Sequence, residues 1–325
     1  MPQDTGPATE PGTEPATEPG TPADAPKSVP VGTASGTGLG KREWLRLEAK
    51  ADQLRRLTLD TTYWAGAGHI GGGMSVLDIL TVIYHKHLNY KLDDPVWPDR
   101  DRVILSKGHA GIAYAPLLCD LGWNDPALLK TFNLTNSPMG MHLDAAKVVG
   151  VDASTGSLGH GLPIAAGTAL AARVQGKDWW VYCVTGDGEL NEGSCWEAFM
   201  AIAHYQLDHV ITIVDRNKFM IDGATEEVMA LGALADKLRA FGLNVIEAPG
   251  HSLPDLSAAI DAAKSHAGQP TAIIADTVKG AGIDFMEGDY VWHYGALDEA
   301  MHKRAQASLE RYYGARRARA EAEGV

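Results

Sequence analysis

The chain is poor in cysteine, in long apolar runs and in positive charge. Three cysteines among 325 residues cannot all pair with one another, and Cys119, Cys183 and Cys195 show no Cys-x-x-Cys spacing of the kind that holds zinc or runs redox chemistry. They read as reduced thiols in a cytoplasmic protein. No stretch reaches the roughly 18 apolar residues that a membrane span needs, and the first 30 residues lack the apolar segment of a secretory signal. The longest candidate, 161–172, ends at Arg173 and is too short. A soluble, unprocessed protein is expected. Lysine and arginine number 28 against 41 aspartates and glutamates, a net charge of −13. Such an excess of acid repels phosphate backbones and anionic head groups, so neither nucleic acid nor a membrane is the expected partner.

Residues 1–40 form a Pro/Thr/Glu-rich run holding 8 of the 17 prolines and five acids against one base. That composition buries too little apolar surface to offset the entropy of ordering, and it predicts a disordered, solvated tail. From Lys41 the composition changes, and 41–325 reads as one domain whose 45% hydrophobic content is ordinary for a globular protein. Leu45, Leu47, Leu54, Leu57 and Leu59 predict a helix over 41–63. A glycine-rich loop at 66–73 and a second helix at 74–88 are expected next. Apolar runs predict strands at 102–105, 180–185, 210–215, 244–247 and 271–277, with helices at 195–206, 230–241 and 253–267 between the last four. This alternation gives an α/β fold, a parallel sheet with helices on both faces and right-handed crossovers. Ligands in such sheets bind beyond the carboxyl ends of the strands.

The most informative stretch is 179–223, one strand–helix–strand unit. Its first strand ends in Gly186-Asp187-Gly188 and its second in Asp215-Arg216-Asn217. If the two strands are neighbours, about 4.8 Å apart, Asp187 and Asn217 can reach one cation despite 30 residues of separation. A carboxylate and an amide are hard oxygen donors, suited to Mg²⁺, with Ca²⁺ possible, and to a phosphorylated ligand bridged by that metal. Glycines flanking Asp187 let the backbone come close to a diphosphate. The plain alternative is a pair of strand-terminal turns, since Gly, Asp and Asn are the usual turn residues.

The pattern GDG…N resembles the thiamine-diphosphate binding motif, and the residues around it, from Trp44 to about Leu297, resemble the amino-terminal half of transketolase. The segment AGHIGGGMSVLDIL would place His69 beside the reacting centre, and LSKGHA would place His109 near the cofactor diphosphate. STGSLGHG matches a loop whose Gly156 and Leu158 would contact the cofactor, and VWHYGAL supplies His293. His142 is a further candidate. By the same resemblance Asp187, Asn217 and the Phe219 carbonyl would bind the metal. Gly188 would meet the diphosphate, Ile221 would pack against the cofactor, and Glu192 would lie at a dimer interface. His85, His87, His204, His209, His251, His266 and His302 have no such context and read as structural. Two departures fall on the substrate side. Ile70 follows His69 where most of the family has proline, and Gly140-Met141-His142-Leu143-Asp144 stands where a Gly-His-Pro-acid segment is usual.

A transketolase needs a second module to hold the aminopyrimidine ring. Only 28 residues follow Leu297, mostly a charged, Arg- and Ala-rich helix, too few for another α/β domain. The resemblance therefore implies the amino-terminal subunit of a split transketolase. Its partner would be a separate carboxy-terminal subunit carrying the pyrimidine-binding module, in a heterotetramer that works on a sugar or sugar phosphate. The activity would be transfer of a two-carbon ketol unit, with His69 and His293 handling hydroxyl protons. Alternatives are a subunit of another thiamine-diphosphate enzyme, of the 2-oxo acid or deoxyxylulose-phosphate synthase type, and a non-catalytic cofactor-binding subunit.

Overall fold

The computed structural model describes residues 39–324, so the tail expected over 1–40 lies outside the described residues except for its last two. Helix α1 (Lys41–Ala65) ends at Gly66, which takes the left-handed conformation that closes a helix without a Cβ penalty. Helix α2 (Ile70–Val82) runs on through one π-helical turn, Ile83–His87. Then come β1 (Arg102–Leu105), α3 (Gly111–Asp120), α4 (Gly161–Val174), β2 (Val181–Gly186), α5 (Gly193–His204) and β3 (Val210–Arg216). After the short α6 (Thr225–Val228) the alternation resumes with α7 (Leu234–Ala240), β4 (Asn244–Pro249), α8 (Leu253–Ser265) and β5 (Thr271–Asp276), and α9 (Glu299–Glu323) closes the fold.

The five strands pair in the order β1-β2-β3-β5-β4, all parallel. Because side chains alternate along a strand, each strand feeds two cores. Tyr182, Val184, Ile211 and Ile213 face the helices α1, α2, α3, α8 and α9. Val181, Cys183, Val210 and Val214 face α4, α5 and α7. The sheet is thus covered on both faces, as the alternating pattern predicts. The cysteines are all buried and free.

The start of α2 differs from the sequence expectation. Gly71, Gly72 and Gly73 belong to the first turn of α2 rather than to the loop predicted over 66–73. Glycine there serves packing: a Cβ at Gly71 would lie 2.5 Å from the Trp292 carbonyl oxygen, and one at Gly73 would lie 2.8 Å from the Ile112 side chain. Periodicity does not report such close approach, so the glycines read as a loop.

The C-terminal helix α9 packs along α1, burying Ala305, Leu309, Tyr313 and Ala320. Asp298 caps it, accepting the Met301 N–H at 2.7 Å. Among the described residues no helix is long and apolar enough to cross a membrane.

Candidate functional site

The site is built where the strands end. In the β2–β3 register Gly186 lies opposite Asp215, which brings the next residues of both strands to the same edge of the sheet. Asp187 and Asn217 line one cavity of about 290 Å³. Asp187 is buried, and the bonds around it follow from its place in the turn. Its Oδ1 accepts the Gly188 N–H at 2.8 Å and so starts the 3₁₀ turn Gly188–Asn191. Its Oδ2 accepts the Lys218 N–H at 2.6 Å, Arg216 Nη1 at 3.0 Å and the Thr225 hydroxyl at 3.3 Å. Burial and the neighbouring Asp215 charge push this carboxyl's pKa up, against the pull of Arg216. Asn217 Oδ1 accepts the Phe219 N–H at 3.2 Å. Lys218 between them takes a left-handed φ of 71°, which turns the chain back on itself. The Phe219 and Met220 carbonyls then meet the Lys279 ammonium at 3.2 and 3.1 Å.

Three histidines from three elements share this cavity. His69 is the N-cap residue of α2, His109 lies in the 3₁₀ turn after β1, and His293 ends the turn Tyr290–His293. Their ring centroids stand 5.2 Å apart for His69–His109 and for His109–His293, and 5.3 Å for His69–His293. Burial is the main cause of a low pKa in each. Reinforced by the charges of His142 and Lys279, it takes His69 down to about 4; with Lys279 it takes His293 to about 3. His109 is driven well below the ordinary histidine value by burial and by Lys107. All three are therefore neutral imidazoles at neutral pH. His69 Nδ1 is buried with no hydrogen-bond partner.

His142, Leu158, Gly188 and Ile221 line the same cavity, with Ile221 at its exposed margin. Gly156 lines it too, and a Cβ there would sit 2.8 Å from the His142 ring. A Cβ on Gly188 would approach Met220 to 2.9 Å. The backbone walls are thus kept bare by close neighbours. Glu192 is the one sequence-predicted residue outside the cavity. It is exposed at the start of α5, against Gly159.

Sequence reasoning missed four charged groups. Lys107, buried, donates to Asp215 at 2.5 Å and to the Gly72 carbonyl at 3.1 Å. Asp215 also accepts Ser75 Oγ at 2.6 Å and the Thr277 hydroxyl, so one carboxylate ties α2, β3 and the end of β5 together. Burial opposes its charge, but Lys107 keeps its pKa low. Glu189, equally buried, accepts Ser106 Oγ at 2.5 Å and the N–H groups of Gly159 and Gly186 at 2.9 and 3.0 Å, joining three loops. The fourth group is Lys279, three residues past β5. Burial, then Lys107, lowers its pKa to about 8, and its ammonium also bonds His293 Nδ1 at 2.9 Å. The rule that ligands bind beyond strand ends points at Lys279 once β5 is placed; no motif does.

Residues 47–314 match the family model for the thiamine diphosphate binding domain of transketolase. The chain belongs to the transketolase family. Its relatives in that family include the 6-deoxy-6-sulfo-D-fructose transketolase subunit SqwG of Clostridium sp. (strain MSTE9), 40% identical over 82% of this chain and 96% of that one. One of the subunits of the apulose-4-phosphate transketolase of Actinobacillus succinogenes is also 40% identical, over 76% of this chain and 90% of its own. Human transketolase is 36% identical, but the match covers only 40% of its length. Among solved structures, a transketolase from Leishmania mexicana superposes with a TM-score of 0.74 at 29% identity, covering 85% of this chain and 46% of that one. This transketolase-family chain therefore spans nearly the full length of two relatives named as subunits and less than half of the long ones.

Proposed function

We propose that this chain is the amino-terminal, diphosphate-binding subunit of a two-chain transketolase of the cytoplasm. The convergence of Asp187, Asn217 and three neutral histidines in one cavity at the carboxyl edge of β2 and β3 carries the reading. Asp187, Asn217 and the Phe219 carbonyl form an all-oxygen donor set that fits Mg²⁺, or Ca²⁺, better than a thiophilic metal. Among the described residues no cluster of three or more His, Cys, Asp or Glu offers a rival metal site. The same carbonyl already meets a positive charge, that of Lys279, so this wall of the cavity accepts cations.

Bare backbone at Gly156 and Gly188 leaves room for a diphosphate, and the Lys279 ammonium supplies charge to hold one. Leu158 and Ile221 offer apolar surface to the rest of the cofactor. Thiamine diphosphate, when bound, supplies the nucleophilic carbon and electron sink needed to cleave a ketose between C2 and C3. His69 and His293 accept and return hydroxyl protons of donor and acceptor, each entering as a neutral base. His109 holds the diphosphate side, and His142 stands at the outer wall, facing substrate.

The aminopyrimidine ring falls to a carboxy-terminal partner chain, and Glu192, exposed at the head of α5, faces a second copy of the pair in a heterotetramer. Donors are ketoses, with or without a phosphate. The test is reconstitution of this chain with a carboxy-terminal transketolase subunit. Two-carbon transfer is expected only with both chains, thiamine diphosphate and Mg²⁺. Full-rate transfer by this chain alone overturns the split-subunit reading. Decarboxylation of pyruvate in place of ketose cleavage overturns the transketolase reading, and cofactor binding without turnover would mark a non-catalytic subunit.

A further inference from the structure

We infer that His251, a residue with no motif to recommend it, positions Lys279 in the cofactor cavity by clamping the backbone just before it; the inference rests on the cofactor reading above. His251 follows Gly250, after the end of β4, and bridges two unlike partners. Its Nδ1 lies 2.8 Å from Asp78 Oδ2, and its Nε2 accepts the Val278 N–H at 2.8 Å. A backbone N–H can only donate, so Nε2 is the acceptor and Nδ1 carries the proton given to Asp78. The tautomer is fixed by the partners.

Asp78 is fully buried in α2, and two arginines grip it. Arg55 of α1 reaches it at 2.9 Å and Arg316 of α9 at 3.1 Å. A carboxylate so held is a rigid anchor, and the imidazole hung from it has little freedom. The same cluster pins the far side of the segment: Arg55 Nε donates to the Ala281 carbonyl at 3.2 Å. Between these two points the Gly280 N–H donates to the Gly71 carbonyl at 3.0 Å, and just before them the Thr277 N–H donates to the Arg216 carbonyl at 3.2 Å. Residues 277–281 are thus tied down on both sides of Lys279. The bond to Val278 is the one made by a side chain to the residue immediately preceding the lysine.

The geometry sorts substitutions by which half of the bridge they keep. In His251→Asn the side-chain amide falls near the place of Nδ1 and can still serve Asp78, but nothing reaches Val278. In His251→Gln the longer amide places an oxygen near Nε2, and Val278 keeps its acceptor.

The experiment titrates the reconstituted two-chain enzyme with thiamine diphosphate at saturating Mg²⁺ and records half-saturation and kcat, alongside hydrogen exchange of the peptide spanning 277–281. His251→Asn is expected to raise half-saturating cofactor about tenfold, the scale of one lost hydrogen bond to a buried group, with kcat at saturation within about twofold. Faster exchange of the peptide should accompany it. His251→Gln should recover most of both effects. In a Lys279→Met background His251→Asn should add nothing to the half-saturation, because both changes act through the same ammonium. Equal loss in Asn and Gln variants, unchanged affinity in His251→Asn, or additive effects with Lys279→Met overturns the inference. If the parent protein shows no saturable response to thiamine diphosphate, the cofactor reading fails instead. The exchange comparison then still decides whether His251 holds the segment, and equal protection in the parent and His251→Asn overturns that.

Discussion

The rings of His69 and His293 meet edge to face, their centroids 5.3 Å apart and their planes at 85°. Neither ring takes a proton cheaply, because burial disfavours the imidazolium form and the Lys279 ammonium repels it. Burial is the first cause of the low pKa of both, and Lys279 acts on each. The unfolded chain, with histidines near their ordinary value, binds more protons than the folded one between about pH 6.5 and 4. Stability from these residues is therefore full above about 6.5 and is lost as pH falls through about 4 for His69 and about 3 for His293. The urea midpoint should drop from pH 7 to pH 5, and the drop should be smaller in a His69→Asn/His293→Asn variant. An equal drop in both proteins would show that other groups set the slope.

Asp187→Asn keeps the size of the side chain, gives up one of the two acceptor oxygens that hold the turn, and removes one charge from the proposed metal site. Ligand charge governs affinity for divalent cations, so the Mg²⁺ needed for half-maximal thiamine diphosphate binding should rise about a hundredfold. The measurement is a Mg²⁺ titration at fixed cofactor. An unchanged midpoint would remove Asp187 from the site.

Gly71→Ala tests why α2 starts where it does. The new Cβ would be 2.5 Å from the Trp292 carbonyl oxygen, backbone of the residue next to His293. Overpacking of this kind costs about 1–3 kcal/mol, and relief by moving residue 292 carries His293 with it. Loss of kcat with only moderate loss of melting temperature is expected. Wild-type values for both would mean that the segment yields freely.

Arg316→Met removes one of the two arginines from the buried cluster at Asp78 and Glu48, where Arg316 Nε bonds Glu48 Oε2 at 2.6 Å. Leaving buried carboxylates short of a partner costs about 3–5 kcal/mol. Thermal unfolding should report a fall of roughly ten degrees, given about 2–4 °C per kcal/mol at this size. A neutral outcome would mean that Arg55 suffices for Asp78 and the Trp44 indole for Glu48.

The sheet and most helices were legible because each strand is a short apolar run bounded by turn residues, and each run borders a helix-length segment. His69, His109, Gly156, Asp187, Asn217 and His293, each named from a motif, line one cavity. Lys279 and His251 were not so named. A lone lysine past a strand and a lone histidine before a helix carry no periodic signal, and only the tertiary pairing of β4 with β5 brings His251 to Val278. The glycine-rich start of α2 was misread for the opposite reason. Low helix propensity was a local signal, and close packing overrode it.

Asp215 gathers Ser75, Lys107 and Thr277 onto a single buried carboxylate beneath the cavity floor. Three stretches of chain that would otherwise move separately share one mooring, so the receptacle is in shape before anything enters it. A coenzyme arriving there has little disorder to remove from its host, and a larger part of its attraction to the walls survives as affinity.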